Sequence, residues 1–470
     1  MKNEKNLKPL WFHNGRSKSI SHTAILEFIK DAGYCNIKLS ANKKELVKIE
    51  NNKIQIATIS DIREFVSDYF QKQSNDEIYE TFLKGISAYI APNKIDILNS
   101  VEVPNIKDDS QNINFYFENT IVSVSKDNLI EKSYSDLAHP IWENRIIKSN
   151  FNHAKIYEKP GQFEQFIRNV TGSEERFESL CSILGYLLHR NKETTESKAV
   201  ILYDELMGSS NGAHGGTGKT LIGKALKQCR DIAEYDGKHI KENSNFLFQR
   251  IELSTDLLFY DDLKKNFDFE KLYPLITSGV EVEKKGKQSF FIDSKDSPKI
   301  LITSNYPIKG SGGSSENRRK IEFALSNYYN EKFTPSDEFG NRFFNESWDE
   351  YEWNSFYHFM MKCAQVYLSK GIIELKSENL IQNKLKAEIN ENFYEFVSNL
   401  DLKYDFKYDK SEIVNQYNEK YPQDKLSSHM ITKYLSSYFE AKKCNLINSS
   451  SNGTYTFKIS NNLKSDGYNL

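Results

Sequence analysis

The sequence predicts an α/β core, a parallel sheet covered by helices, and three observations carry that prediction. Between 196 and 345 the strand-like runs KAVILY, DLLFY and KILIT alternate with helix-like segments, as in a parallel α/β unit. A glycine-rich loop separates the first run from the helical stretch LIGKALKQC, and the second and third runs end in Asp261-Asp262 and Ser304-Asn305. Around this core, residues 1–150 mix short apolar runs with turn clusters and read as an α+β region. In 151–195, Phe163, Phe166 and Ile167, then Phe177, Leu180, Leu184, Leu187 and Leu188, keep the spacing of a helical collar. Residues 346–388 read as an aromatic helix, a lid over the core, and a charged helical link. Residues 389–470 read as helices closed by a hairpin.

Bulk composition bounds the function classes. At 470 residues the chain is too long for one core, which suggests about three domains. Lys+Arg 63 nearly balances Asp+Glu 65, so any nucleic-acid contact has to be local. Cys35, Cys181, Cys229, Cys363 and Cys444 lie far apart without metal-ligand spacing and read as reduced packing residues. No apolar run suits a signal peptide or a membrane span, so a cytoplasmic protein is expected.

The run Ala213-His214-Gly215-Gly216-Thr217-Gly218-Lys219-Thr220 follows a strand and opens a helix, the context a phosphate loop requires. Gly215, Gly216, Thr217 and Gly218 supply backbone N–H groups, Lys219 reaches the terminal phosphates, and the Thr220 hydroxyl joins a Mg²⁺ shell. ATP and Mg²⁺ are the expected cofactors. Ala213 stands where the strict motif has glycine, a change tolerated wherever φ is negative. The alternative is a chance glycine loop at a helix start. The run Leu257-Leu258-Phe259-Tyr260 then delivers Asp261, expected on the metal, and Asp262, expected to polarise the attacking water. A helix cap is the competing use of that acidic pair. Asn305 is expected beside the γ-phosphate, although alone an Asn after a strand is usually a turn residue. Arg318 and Arg319, in Glu316-Asn317-Arg318-Arg319-Lys320, are candidate fingers toward a neighbouring subunit's nucleotide, with a solvated basic turn as the alternative.

These motifs in this order resemble superfamily 3 helicases, of the AAA+ class of P-loop ATPases. Between Asp262 and Asn305 lies Val280-Glu281-Val282-Glu283-Lys284-Lys285-Gly286-Lys287-Gln288-Ser289-Phe290-Phe291, two strand-like arms around a Lys/Gly turn. In that family such a hairpin grips single-stranded DNA in a central channel, which implies DNA contacts for Lys284, Lys285 and Lys287. Gly286 departs from the tumour-virus members, which carry His after the basic residue. The resemblance is strong over 140–330, to the helicase portion of phage, plasmid and poxvirus-type primase-helicases. It draws in Phe115-Tyr116-Phe117-Glu118-Asn119, Ile141-Trp142-Glu143-Asn144 and the collar stretch Ile183-Leu184-Gly185-Tyr186-Leu187-Leu188-His189. The first 150 residues show no paired acidic motifs with a following His, so primase activity is not expected.

In the tail, Phe393, Phe396 and Val397, then Ile413, Val414 and Tyr417, then Met430, Ile431, Leu435 and Phe439 mark three helices. A hairpin turning at Asn452-Gly453 follows. The order reads as a winged helix, with Lys433 outward and Lys442 and Lys443 near phosphates. A protein-binding wing is the alternative, because local charge is almost balanced. Together the resemblance implies an AAA+ P-loop core with a C-terminal winged-helix domain, acting as a ring-forming, hexameric replicative DNA helicase of a phage or other mobile element. The implied partners are single-stranded and forked DNA, copies of the same chain, and a separate primase or polymerase, with no membrane. A nucleotide-controlled DNA-binding initiator or switch, and a protein-remodelling ATPase, share the same phosphate-contacting residues.

Overall fold

A computed structural model of the chain describes residues 9–15, 17–40, 43–102, 107–193, 195–205, 216–286, 289–308, 314–375, 378–451 and 454–461. The fold is mixed α/β. Five parallel strands form the central sheet: β1 (Ala199–Asp204), β2 (Ile232–Asp236), β3 (Leu257–Asp261), β4 (Lys299–Thr303) and β5 (Lys320–Leu325). Their spatial order is β2-β3-β4-β1-β5. The three inner strands are buried almost throughout because both faces are covered, which is why they read as unbroken apolar runs. Successive residues serve opposite faces: Val200 and Leu202 join one core, Ala199, Ile201 and Tyr203 the other.

The first face is covered by α1 (Gln162–Thr171), α2 (Glu174–Leu188), α3 (Lys219–Lys227) and α4 (Glu350–Lys370). Gly172 ends α1 at φ +70°, a left-handed cap that costs glycine little. Ser173 then caps α2 by accepting the Arg176 N–H. The α2 and α4 backbones meet so closely at Gly185 that a Cβ there would strike the Cys363 carbonyl oxygen. The aromatic helix expected as a lid therefore lies against the collar helix, as a wall of the same core. That core also takes Ile113, Phe115, Phe117, Val122 and Val124 from an antiparallel meander, so one apolar interior runs across the expected 150, 195 and 345 boundaries. Phe163 sits at its hub, with ring contacts to Phe166, Phe344, Phe356 and Phe359. Emptying that site costs about 3–5 kcal/mol.

The second face is covered by Ile251, Leu263 and Phe267 and by the antiparallel hairpin Val280–Val282 and Phe290–Ile292. Leu380, from the helix Glu378–Ile389, completes it, while Leu385 and Ile389 of that helix enter the tail's core. The charged link is thus a strut between sheet and tail. Within the first 150 residues, the helices His22–Asp31, Ile59–Lys72 and Asp76–Tyr89 pack beside a sheet formed largely by Tyr34–Ser40, Lys43–Glu50 and Lys53–Ile56. The tail runs helix (Glu391–Ser398), strand (Lys407–Asp409), helix (Lys410–Lys420), helix (Ser428–Ala441) and hairpin (Cys444–Ser451 with Thr454–Asn461). The expected turn at Asn452-Gly453 lies outside the described residues. All five cysteines are buried and unbridged. Among the described residues no helix is long and apolar enough to cross a membrane.

Candidate functional site

Parallel strands converge on a crevice at their carboxyl ends, where the strand order reverses. Here the reversal falls at β1, because the chain leaves β1 through α3 for the far edge strand β2 and returns through β3 and β4. Gly218 opens α3 at φ +101°, and a Cβ there would lie 2.5 Å from the Phe166 ring. Conformation and space therefore both demand glycine. Lys219 and Thr220 follow in the first helical turn, where unpaired N–H groups and the helix dipole favour an anion.

Five of the expected side chains meet there, from the start of α3 and the ends of β3 and β4. The Thr220 hydroxyl donates to Asp261, 2.8 Å from Oδ1 and 3.1 Å from Oδ2. Lys219 Nζ donates to Asn305 Oδ1 at 2.9 Å, and Asn305 Nδ2 donates to Asp262 Oδ1 at 3.0 Å. Asp262 adopts φ +55°, a left-handed bend that Asp tolerates better than most residues. Its N–H donates to Thr303 Oγ1 at 2.7 Å. Lysine, amide, acid pair and hydroxyl thus form one connected network, joined through Thr303, at the start of α3. Asp261 and the Thr220 hydroxyl are hard oxygen donors, which suits Mg²⁺ carried in with phosphates.

Three further residues belong to the network and carry no motif. Thr303 ends β4 and donates to Asp261 Oδ1 at 2.7 Å. Asp204 ends β1, accepts the Thr217 hydroxyl and pairs with the Lys219 ammonium. Lys238, just past β2, lies 2.5 Å from Asp262 Oδ2, and that hydrogen bond and the charge of Asp262 push its ammonium pKa up. The only signal available for Asp204 and Thr303 was a polar residue closing an apolar run. Lys238 offered none. Gly215 and Lys287 lie outside the described residues, while Gly216 is described at φ +102°.

Arg318 and Arg319 stand at the opposite end of the sheet. β5 pairs with β1 so that Lys320 faces Ala199 and Leu325 faces Asp204, and the Ala199 N–H donates to the Arg319 carbonyl at 2.8 Å. Five strand residues, about 17 Å, separate the arginines from the Lys219 network. Arg319 is half-buried with its guanidinium 4.7 Å from the Tyr273 ring centre, whereas Arg318 is exposed. On the hairpin, Lys285 is exposed, but Lys284 pairs with Glu252 and lies 5.6 Å from the Phe290 ring. In the tail Lys433, Lys442 and Lys443 are all exposed, with Lys442 Nζ 4.5 Å from the Tyr438 ring.

Residues 210–319 match a family of unknown function, DUF5906, a segment running from the glycine loop to Arg319. No curated protein matches the chain. Among solved structures it is similar to the C-terminal region of NrS-1 in its A form, without ligand, at 11% identity over 93% of this chain and 98% of that one, TM-score 0.44. It is similar to JCV helicase in a small-molecule complex at 13% identity, covering 59% of this chain and 66% of that one, TM-score 0.24. A full-length MCM homolog from Methanopyrus kandleri is similar at 9% identity over 70% of each chain, TM-score 0.20. Likenesses this distant assign no role to any residue of this chain.

Proposed function

We propose that the chain binds ATP with Mg²⁺ at the Lys219 loop, hydrolyses it, and works as a ring of identical subunits moving along single-stranded DNA in the replication of a phage or other mobile element. The convergence of Lys219, Thr220, Asp261, Asp262 and Asn305 at the carboxyl ends of the sheet carries this reading. Phosphoryl transfer to water needs positioning and charge neutralisation more than covalent chemistry. Lys219 supplies positive charge at the terminal phosphates. Thr220 and Asp261 hold the Mg²⁺, which neutralises charge on the phosphate oxygens when bound. Asp262, steered by Asn305, orients the attacking water and takes up its proton. Arg318 serves the site of an adjacent copy, since its own network lies a strand length away, while Arg319 is held against the Tyr273 ring.

On this reading the core is a superfamily 3, AAA+-type ATPase. The hairpin 280–291 is its DNA-contacting element, with Lys285 and Lys287 offered to phosphates and Lys284 holding the arm through Glu252. The tail, whose helix-strand-helix-helix-hairpin order is that of a winged helix, presents Lys433, Lys442 and Lys443 to DNA. ATPase rates with and without single-stranded DNA, together with particle mass, test the proposal: stimulated hydrolysis by a multi-subunit particle is expected. Purified protein without affinity for adenine nucleotides in the presence of Mg²⁺ would refute it. The Lys284–Glu252 pair favours a second reading, a nucleotide-controlled DNA-binding initiator or switch, because it removes one cation from the hairpin's grip. Hydrolysis indifferent to single-stranded DNA, with origin-like duplex still bound, selects that reading.

A further inference from the structure

Three carboxylates gather around the start of α3, and the proposed chemistry uses two. The third, Asp204, closes β1 at 2% exposure. One of its oxygens accepts the Thr217 hydroxyl and the other pairs with Lys219, itself 8% exposed. The ammonium expected to meet a nucleotide's phosphates therefore already has an anion, out of water, where charges attract more strongly than in solvent.

We propose that Asp204 is an internal counter-ion that competes with the terminal phosphates for Lys219, so that nucleotide enters and leaves by exchange of one anion for another. This rests on residues 213–220 being the phosphate loop. The geometry equips the two partners differently. Asp204 is fixed in the ladder opposite Leu325, and the next N–H, of Glu205, donates to the Leu325 carbonyl at 2.8 Å, so the carboxylate cannot follow Lys219. Lys219 carries its charge on a flexible four-carbon stem with three donors. When it turns to phosphate, the Thr217 hydroxyl remains on Asp204, and the carboxylate is not left bare. A negative charge held beside the phosphates opposes nucleotide binding, heightens the need for Mg²⁺, and recaptures Lys219 as product leaves.

Asp204→Asn keeps the shape and the acceptor for Thr217, deletes the charge, and sets an amide N–H in place of the oxygen that faces Lys219. In the full-length protein, titration with a fluorescent ADP should show binding about tenfold tighter, the equivalent of ~1.4 kcal/mol. The gain should be larger without Mg²⁺, and KM for ATP and kcat should both fall as ADP release slows. A structural brace predicts the reverse, weaker ADP binding with KM unchanged or raised, and that result overturns the proposal. A second measurement needs no nucleotide. Lys219→Met strands Asp204 and should lower the denaturation midpoint, and Asp204→Asn added to Lys219→Met should restore it. A double variant no more stable than Lys219→Met overturns the pairing. If the wild-type protein binds no ADP, the phosphate-loop reading falls. If wild type and Asp204→Asn bind equally, that reading stands and the exchange falls.

Discussion

The two ends of the central sheet both collect buried charge, and they use it oppositely. At the carboxyl end, Lys219, Asp261, Asp262 and Asn305 bond to one another and to hydroxyls, partners that the proposed function has a nucleotide or metal replace. At the amino end the partners are permanent. Asp256, just ahead of β3, accepts Arg190 Nε at 3.0 Å and lies 3.4 Å from Arg145 Nε. Lys299, the first residue of β4, donates to the Tyr186 and His189 carbonyls at 2.8 and 2.6 Å, capping α2. Arg230 donates to the Leu188 carbonyl at 2.6 Å and lies 4.4 Å from the Phe115 ring. Burial drives Lys299 well below the usual lysine range, takes Lys192 down to about 7, and with the charge of Lys299 takes His189 down to about 4. Perturbed titration is a weak guide to chemistry here, because a fastening made of buried ions perturbs pKa values as strongly as an active site does. On the proposed function, whether the partner can be exchanged separates the two ends.

That contrast is broken most severely at the carboxyl end. Asp262→Asn should lower ATP turnover by about 10³-fold, within the range of a lost general base, while the urea midpoint stays close to wild type. Loss of stability on the same scale as loss of rate would erase the distinction. Arg318→Ala should cost turnover by a similar ~10³-fold and regain part of it when mixed with Asp262→Asn subunits, since each supplies what the other lacks. Mixed particles without recovered phosphate release would place the arginine outside any neighbour's site.

The amino end should answer in stability. Asp256→Asn leaves Arg145 and Arg190 without their carboxylate and should cost about 3–5 kcal/mol in chemical denaturation, with the nucleotide affinity of the folded fraction unchanged. The pH profile sharpens the same point. A folded-state pKa near 4 for His189, against about 6.5 in the unfolded chain, means the unfolded state takes up a proton that the folded state refuses. Stability is therefore fully present above about 6.5 and falls as pH drops toward 4, by roughly 2–3 kcal/mol from this group. His189→Gln should flatten that slope in denaturation curves taken between those values. The smallest effect belongs to the hairpin. Lys285→Ala should reduce the salt dependence of single-stranded DNA binding by about one phosphate contact, and Lys284→Ala by less because Glu252 already neutralises it.

Legibility in the sequence followed burial and locality. KAVILY, DLLFY and KILIT could be read as strands because inner parallel strands lie between two covered faces. The edge strands β2 and β5, IAEYD and KIEFAL, admit polar residues and hide among helix-like segments. Lys407–Asp409 is too short to show any period. Lys219, Thr220, Asp261, Asp262 and Asn305 were legible because each sits in a local pattern of strand, turn and helix start. Thr303 became part of the site only through register, since Tyr260 beside Ile302 sets Asp261 beside Thr303.

By itself, then, the sequence determined the parallel α/β core and which side chains gather at its strand ends, because apolar runs and glycine turns act over a few residues. Tertiary structure decided three other matters. It fused collar, sheet and aromatic helix into one interior, chose Arg318 over Arg319 as the exposed arginine, and paired Lys219 with Asp204 and Lys284 with Glu252. These depend on which side chains meet across elements far apart in the chain. Spacing along a sequence carries no record of such meetings until the strands are in register and the helices have packed.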